Sequence, residues 1–311
     1  MDSATLDVKE LRAKHYNGVV TSIRKAHSDL MIFRVKRDEP FPEYKAGQYT
    51  ALGLGYWEPR LPDCGQDDLD EKKILKVAKR AYSISHPILS DSGELFDDSN
   101  RDFLEFYVVL VRPDEENPAP VLTPRLFMLE EGDRLNVGKG IVGHFNLDSL
   151  KSSTTTVILG STGTGEAPHN HMIHRLLSDG FAGQIVSLVC CRYNQDLGYL
   201  DQHRQLEERY PNYHYIPLST REPETINNKV YIQDFLASER IEDVIQGPLD
   251  PNTTDVYLCG NPDMIGVPEI DKESEERTYP KRQGVIEILE KRGFRMDYKK
   301  FVGNIHFENY W

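Results

Sequence analysis

Cysteine is scarce in this chain of 311 residues, and the four present are scattered. Cys64, Cys190, Cys191 and Cys259 form no C-x-x-C pair and no ferredoxin-like spacing, which argues against a structural zinc site or an iron–sulfur cluster. Any redox chemistry then needs another cofactor. Long apolar runs are missing too. No stretch approaches the roughly 18 to 20 apolar residues that span a bilayer, and the polar opening MDSATLDVKELRAKHYNG has no apolar segment of signal-peptide length. A cytoplasmic protein with no membrane span is expected. Positive charge is in deficit, with 37 Lys and Arg against 50 Asp and Glu and a net charge of −13. Non-specific nucleic-acid binding rests on neutralising phosphates, so nucleic acid is not an expected partner. An acidic partner would need a local basic patch. Internal repeats and low-complexity tracts are also lacking. What is there, 39% hydrophobic and 10% aromatic residues, suffices for two globular domains with a core in each.

The first half carries short alternating segments: NGVVTSIRK, DLMIFRVKR, GQYTALGLG, RAYSISH, DFLEFYVVLVR and DRLNVGK. Six strands with one helix among them predict an antiparallel barrel or sandwich. That helix is TPRLFMLEEGD, with Thr123 as N-cap, Pro124 at the first helical position and Gly132 past the end. LDSLKSSTT, residues 147–155, reads as a linker between domains at 1–149 and 150–311. Beyond it, apolar strands alternate with amphipathic helices: TVILG, PHNHMIHRLLSDG, QIVSLVCCRY, LDQHRQLEERY, YHYIPLST, VYIQDFLASER, DVYLCG and GVIEILEKRG. This pattern predicts a parallel sheet covered on both faces. Two charged stretches, 56–79 and 267–283, read as solvated insertions. The basic end of the first, Lys72 to Arg80, is open to a helical reading.

The strongest single motif is ILGSTGTGEAPHNHM. Gly163, Thr164 and Gly165 form a tight turn from strand to helix, where a backbone can approach a pyrophosphate at a helix start near Pro168. A surface role is expected for His169, His171 and His174 on that helix, since no carboxylate or cysteine ligand set accompanies them, and no metal is predicted. Arg192 ends the second strand of this half, and Thr220 and Arg221 end the third, with Lys229 shortly after. A hydroxyl with cations there suits the 2′-phosphate of NADP. Cys259 ends the fourth strand, followed by a sharp turn at Gly260, Asn261 and Pro262.

Taken in order, R-x-Y-S (Arg80, Tyr82, Ser83), G-x-G-x-x-P (Gly163, Gly165, Pro168), C-G-N-P (Cys259 to Pro262) and the closing F-E-N-Y-W (Phe307 to Trp311) resemble the ferredoxin–NADP reductase family. The bacterial flavodoxin/ferredoxin reductases, which end in a similar Tyr-Trp, show the greatest likeness. The resemblance runs from about residue 16 through nearly the whole chain. It implies an N-terminal antiparallel FAD-binding β-barrel followed by a parallel-sheet, Rossmann-like NADP-binding domain, with FAD and NADP(H) as cofactors and the flavin between the domains. It also implies transient exchange with ferredoxin or flavodoxin by a monomer.

Residue by residue, the resemblance places Tyr82 on a face of the flavin, Ser83 near its reactive nitrogen and Arg80 on the FAD pyrophosphate, with Ala81 between them. Glu105, Phe106, Tyr107, Val108 and Val109 resemble the adjacent flavin-binding strand, and Leu122 and Thr123 the pyrophosphate-binding segment. Thr162 reaches toward the flavin. Tyr310 takes the shielding place on its other face, Trp311 lies beside the FAD adenine, and Glu308 is a carboxylate near Ser83 and Cys259. Ser83, Cys259, Glu308 and Tyr310 are thus the expected catalytic set. Gly163, Thr164, Gly165, Arg192, Thr220, Arg221, Lys229, Cys259, Gly260 and Asn261 are the expected NADP contacts. The chain departs from the pattern at Pro120, where a glycine is usual, at Lys229, where an arginine is usual, and by an insertion before Arg80. NADPH delivers a two-electron hydride, and iron–sulfur proteins accept single electrons, so a flavin that holds one or two converts between them. The alternatives are a reductase component for an oxygenase or free flavin, and a flavin- or nucleotide-binding regulatory subunit without turnover. An acidic carrier would dock on a basic face, from Lys72, Lys73, Lys76 and Lys79 or from residues 291–300.

Overall fold

The computed structural model describes residues 7–67, 69–113 and 120–310. Trp311, expected beside the FAD adenine, lies outside the described residues. The chain forms two units, Met1–His86 with Asp97–His144, and Pro87–Phe96 with Phe145–Trp311.

The first unit opens with a helix, α1 (Val8–His15), capped by the Asp7 carboxylate, which accepts from the Glu10 amide at 3.1 Å. Six strands follow: β1 (Gly18–His27), β2 (Leu30–Arg37), β3 (Tyr49–Gly55), β4 (Val77–Ser83), β5 (Leu104–Val109) and β6 (Arg134–Val137). They hydrogen-bond in the order β4-β3-β6-β1-β2-β5, every pair antiparallel. The Ser85 amide donates to the Glu105 carbonyl at 2.8 Å, so the chain leaving one edge strand bridges to the other and closes the row into a barrel. Phe33, Leu52, Leu54, Leu104, Phe106 and Leu135 fill its interior. All six expected strands are present. The expected helix shrinks to one turn, α2 (Thr123–Leu126), with Leu122 rather than Thr123 at the cap position. The amides of Met128 and Leu129 bond three residues back, so tight turns replace the α pattern.

Residues 56–79 are not uniformly solvated. Cys64 is fully buried in the barrel core, and Glu58 is buried. The Tyr16 hydroxyl donates to Glu58 at 2.9 Å and accepts from the Gly55 amide at 2.8 Å, and Arg12 of α1 pairs with the same carboxylate at 2.5 Å. Lys72 to Arg80 is not a helix: turns run to Lys76, and β4 starts at Val77 because β3 pairs with it as far as Gly55.

The second unit contains β7 (Thr156–Thr162), α3 (Glu166–Ser178), β8 (Gln184–Cys191), α4 (Leu200–Arg209), β9 (Tyr213–Ser219), α5 (Ile232–Ala237), α6 (Arg240–Ile245), β10 (Thr254–Gly260) and α7 (Pro262–Ile265). After these come β11 (Glu269–Ile270), β12 (Arg277–Thr278), α8 (Val285–Lys291) and β13 (Ile305–Asn309). The main sheet is parallel throughout, in the order β13-β10-β7-β8-β9. β10 is buried at every position and β7 at all but its last residue, whereas the edge strands β9 and β13 are mixed, as a sheet covered on both faces requires. The 267–283 stretch holds the small antiparallel pair β11 and β12; Val267, Ile270 and Tyr279 pack on the core of this unit.

Candidate functional site

In the first unit, β4 pairs with β3 without a break, placing Leu52 opposite Arg80, Thr50 opposite Tyr82 and Tyr49 opposite Ser83. Arg80 and Tyr82 therefore share one face of the strand, and Ala81 and Ser83 the other. Arg80 is exposed and donates only to the Lys79 carbonyl, at 2.8 Å; among the described residues it has no ion pair. Tyr82 is half-buried against the core, and that burial pushes its hydroxyl pKa up despite nearby Arg80. Ser83 is buried.

On β5 the residues divide. Phe106 and Val108 point into the core, as does Leu122 ahead of α2, leaving their backbone as what they can offer a ligand. Glu105 is buried and paired with Arg34 at 2.8 Å, and Tyr107 is also buried. The Thr123 hydroxyl is buried and has no hydrogen-bond partner among the described residues. An orphaned hydroxyl in this segment, together with an unpaired Arg80, fits an anionic group.

In the second unit the glycine turn is a single 3-10 turn, residues 163–165, running directly into α3, so the helix starts at Glu166 and Pro168 falls in its first turn. Gly163 has φ +51°, a left-handed value with open space around it. Gly165 makes a close approach within the protein itself: a Cβ there would stand 2.8 Å from the Cys259 carbonyl carbon and 3.1 Å from Gly260 Cα. The turn is thus pressed onto the end of β10. Gly260 has φ +122° and lies against Thr162, whose hydroxyl accepts from the Asn261 amide at 2.7 Å. The Asn261 carboxamide accepts from the Asp263 amide at 2.8 Å and caps α7.

Cys259 is fully buried and pairs in register with Glu308 of β13, while the Tyr310 amide donates to the Gly260 carbonyl at 3.0 Å. Burial pushes the Cys259 thiol well up, the Glu308 charge adds to this, and a hydrogen bond with the Tyr310 side chain opposes it. The sulfur is a neutral thiol near neutral pH. Cys259, Glu308 and Tyr310 are thereby brought together.

At the ends of β8 and β9, the Arg221 amide donates to the Arg192 carbonyl at 2.8 Å, and the Thr220 hydroxyl to the Cys191 carbonyl at 3.1 Å. Arg192 and Arg221 are exposed, and neither has an ion pair among the described residues. Lys229 is exposed on the segment leading into α5; no hydrogen bond or ion pair among the described residues joins it to them.

Beneath the turn lies a buried polar group that periodicity does not reveal. Glu166, first in α3, accepts from the Tyr215 hydroxyl at 3.1 Å and stands 2.9 Å from His203, whose other ring nitrogen is 2.7 Å from the Tyr213 hydroxyl. Tyr215 also stacks on His203, with ring centroids 4.2 Å apart. These contacts tie α3, α4 and β9 together at the base of the turn.

The α3 histidines are buried, not surface residues, because the helix is covered on several sides: His169, His171 and His174 are at most 5% exposed. His174 Nε2 lies 2.8 Å from the Phe96 carbonyl. His169 has neither ring nitrogen hydrogen-bonded, and burial drives its pKa from 6.5 down to about 3. His306 shifts the other way. Burial opposes its charge, but the carboxylates of Asp255 and Asp297, at 3.4 and 2.8 Å, outweigh this and raise its pKa.

These opposite shifts predict opposite pH dependences. The His169 contribution is present above pH 6.5 and is lost as pH falls toward 3, with a limiting slope of about 1.4 kcal/mol per pH unit. The His306 contribution is full below 6.5 and is lost as pH rises through its raised folded value. Urea unfolding from pH 4.5 to 9 checks both: His169→Leu should flatten the acid side and His306→Gln the alkaline side. Wild-type slopes in both variants would contradict the assignment.

The family model described as oxidoreductase NAD-binding domain matches residues 159–268, from within β7 to beyond α7. A flavodoxin/ferredoxin–NADP reductase of Buchnera aphidicola subsp. Baizongia pistaciae is 25% identical over 293 residues, covering 94% of this chain and 97% of its own. Its counterpart in Escherichia coli K12 is 29% identical over 236 residues, 75% of this chain and 81% of its own. Among solved structures, a ferredoxin NADP+ reductase from Neisseria gonorrhoeae with bound FAD and NADP superposes with a TM-score of 0.67 at 19% identity, covering 94% of this chain and 98% of that one. A closed antiparallel barrel and a parallel sheet bearing the glycine turn thus go with a likeness to flavodoxin/ferredoxin–NADP reductases along nearly the whole chain.

Proposed function

We propose that the chain is an FAD-dependent oxidoreductase that moves electrons between NADPH and a one-electron carrier of the ferredoxin or flavodoxin type. The observation that carries this reading is a set of groups suited to phosphate: among the described residues Arg80, Arg192 and Arg221 have no ion pair and the buried Thr123 hydroxyl has no hydrogen-bond partner. Bound FAD supplies what amino acids lack, accepting a two-electron hydride and releasing electrons singly. The chain supplies geometry. Arg80 and Thr123 hold the diphosphate, Tyr82 presents its ring to a flavin face, and Ser83 presents a hydroxyl that can donate or accept. The Gly163–Gly165 turn receives the dinucleotide pyrophosphate, and Arg192, Thr220 and Arg221 grip the 2′-phosphate. Cys259 contributes a neutral, apolar wall for the nicotinamide, with Glu308 beside it, and Tyr310 covers the flavin face until the dinucleotide displaces it. Productive transfer needs reacting atoms held about 3 to 3.5 Å apart, which is what these contacts serve.

The carrier docks on the basic end of the 56–79 stretch. Lys72, Lys76 and Lys79 are exposed, without ion pairs among the described residues, and Leu75 between them is 45% exposed. In the 291–300 segment Lys291 and Arg292 are paired with Glu287 and Glu242, while Arg295, Lys299 and Lys300 are exposed without ion pairs among the described residues and form the second candidate face. Steady-state reduction of ferredoxin and flavodoxin by NADPH tests this reading. The rate should fall several-fold as ionic strength rises through about 0.3 M, and again in a Lys72→Glu, Lys76→Glu variant. Transfer to free flavin alone would support the oxygenase- or flavin-directed alternative. Transfer to no acceptor would support a non-catalytic binder.

A further inference from the structure

The insertion before Arg80 and the unusual Pro120 are one structural feature. Asp67 lies between two guanidiniums, pairing with both Arg60 and Arg125, and the three side chains are 7%, 11% and 2% exposed. Arg60 also donates to the carbonyls of Cys64, at 2.7 Å, and Pro120, at 3.2 Å. Arg125 donates to the carbonyls of Val121, at 2.7 Å, and Tyr56, at 3.1 Å, and stacks over the Tyr56 ring. The Leu61 amide donates to the Pro124 carbonyl at 3.2 Å. The insertion therefore grips, carbonyl by carbonyl, the segment that leads into Thr123.

Two guanidiniums against one carboxylate leave one positive charge in excess at a buried place. Among the described residues the Nε groups of Arg60 and Arg125 are both buried without a partner, as is the Thr123 hydroxyl on the segment they hold. Buried donors and buried surplus charge call for an anion.

We propose that residues 56–67 buttress the diphosphate of bound FAD, with Arg60 and Asp67 as positioning residues that fix the 120–123 segment and surplus guanidinium charge that the diphosphate balances. This rests on the flavoprotein reading above. A glycine ahead of Thr123 would let the backbone find the phosphate by its own flexibility. With Pro120 in its place, the segment is held from outside by Arg60.

Binding of FAD to the flavin-stripped full-length chain, followed by quenching of flavin fluorescence, tests the proposal. Arg60→Met should raise the Kd for FAD about tenfold, and Arg60→Lys, which keeps the charge without the planar fork, should recover part of the loss. The flavin-free variant should lose some stability as well, because Arg60 also holds Asp67 and two carbonyls, so the Kd is read well below its Tm. Hydrogen exchange on the wild-type chain gives a readout independent of any variant: adding FAD should protect amides in both 56–67 and 120–125. An unchanged Kd in Arg60→Met, a lowered apoprotein Tm with an unchanged Kd, or no added protection in 56–67 would each overturn the buttress. A wild-type chain that takes up no FAD would instead overturn the flavoprotein reading.

Discussion

Gly165→Val is expected to destroy productive dinucleotide binding while leaving β4, the strand proposed to meet the flavin, untouched. A side chain at this position meets the Cys259 carbonyl and Gly260 Cα, backbone atoms of a strand that is buried at every position and hydrogen-bonded on both edges. Nothing there can rotate aside, so the turn must swing off the strand end, and the cradle between Thr162 and α3 goes with it. Overpacking of this kind costs about 1–3 kcal/mol where neighbours can shift and more where they cannot. The expected result is a rise in KM for NADPH of about a hundredfold or more, with the flavin absorbance of the purified protein unchanged. Gly163→Ala is the contrasting case: its φ of +51° is unfavourable for a side chain, but the space is open. A penalty of about 1–2 kcal/mol follows. Equal effects at the two glycines would refute the distinction between close approach and left-handed backbone.

Arg221→Ala should collapse the preference for NADPH over NADH by about 10- to 100-fold, because a hydrogen bond to a charged group contributes roughly 1.5–3 kcal/mol and only NADPH carries the 2′-phosphate. Arg221 suits this role by position. Its amide is bonded to Arg192, so two exposed cations without ion pairs spring from adjacent strand ends. The kcat/KM for NADH should barely move. Lys229→Ala should have the smaller effect, since an ammonium is a point charge without the bidentate fork. Steady-state kinetics with both dinucleotides decides the matter; parallel losses for NADPH and NADH would assign Arg221 to the pyrophosphate or to the fold instead.

Much of the architecture was readable because it rests on local periodicity. The barrel strands alternate, and β7, β8 and β10 are near-continuous apolar runs, so their existence and class follow from one-dimensional pattern. Elements without such a pattern escaped. α1 has no buried residue, hence no amphipathic stripe to detect. β13 is a short edge strand whose sequence, Ile305 to Asn309, reads as an aromatic tail until β10 is known to lie beside it. The α3 histidines misled because polar residue type suggests exposure, whereas the helix is enclosed by its neighbours.

The candidate site divides in the same way. Arg80, Tyr82 and Ser83 and the two turn glycines could be picked out from the chain, since their motifs are contiguous. The reason for Gly165, the clasp of Thr162 on Asn261, and the Glu166–His203 pair all depend on residues far apart in sequence. The charged stretch before Arg80 looked like one solvated loop because charge was its only visible property. Its first part is in fact locked inside by Asp67, and in its second part Lys72, Lys76 and Lys79 are exposed without ion pairs among the described residues.

The proposed function stands on one step, the passage of a hydride from NADPH to a bound flavin. Anaerobic stopped-flow mixing of the FAD-loaded protein with NADPH, followed in the flavin's visible absorption band, tests it most directly. Rapid bleaching by NADPH and much slower bleaching by NADH at the same concentration are expected. A protein that binds FAD yet is bleached by neither dinucleotide would contradict the proposed function.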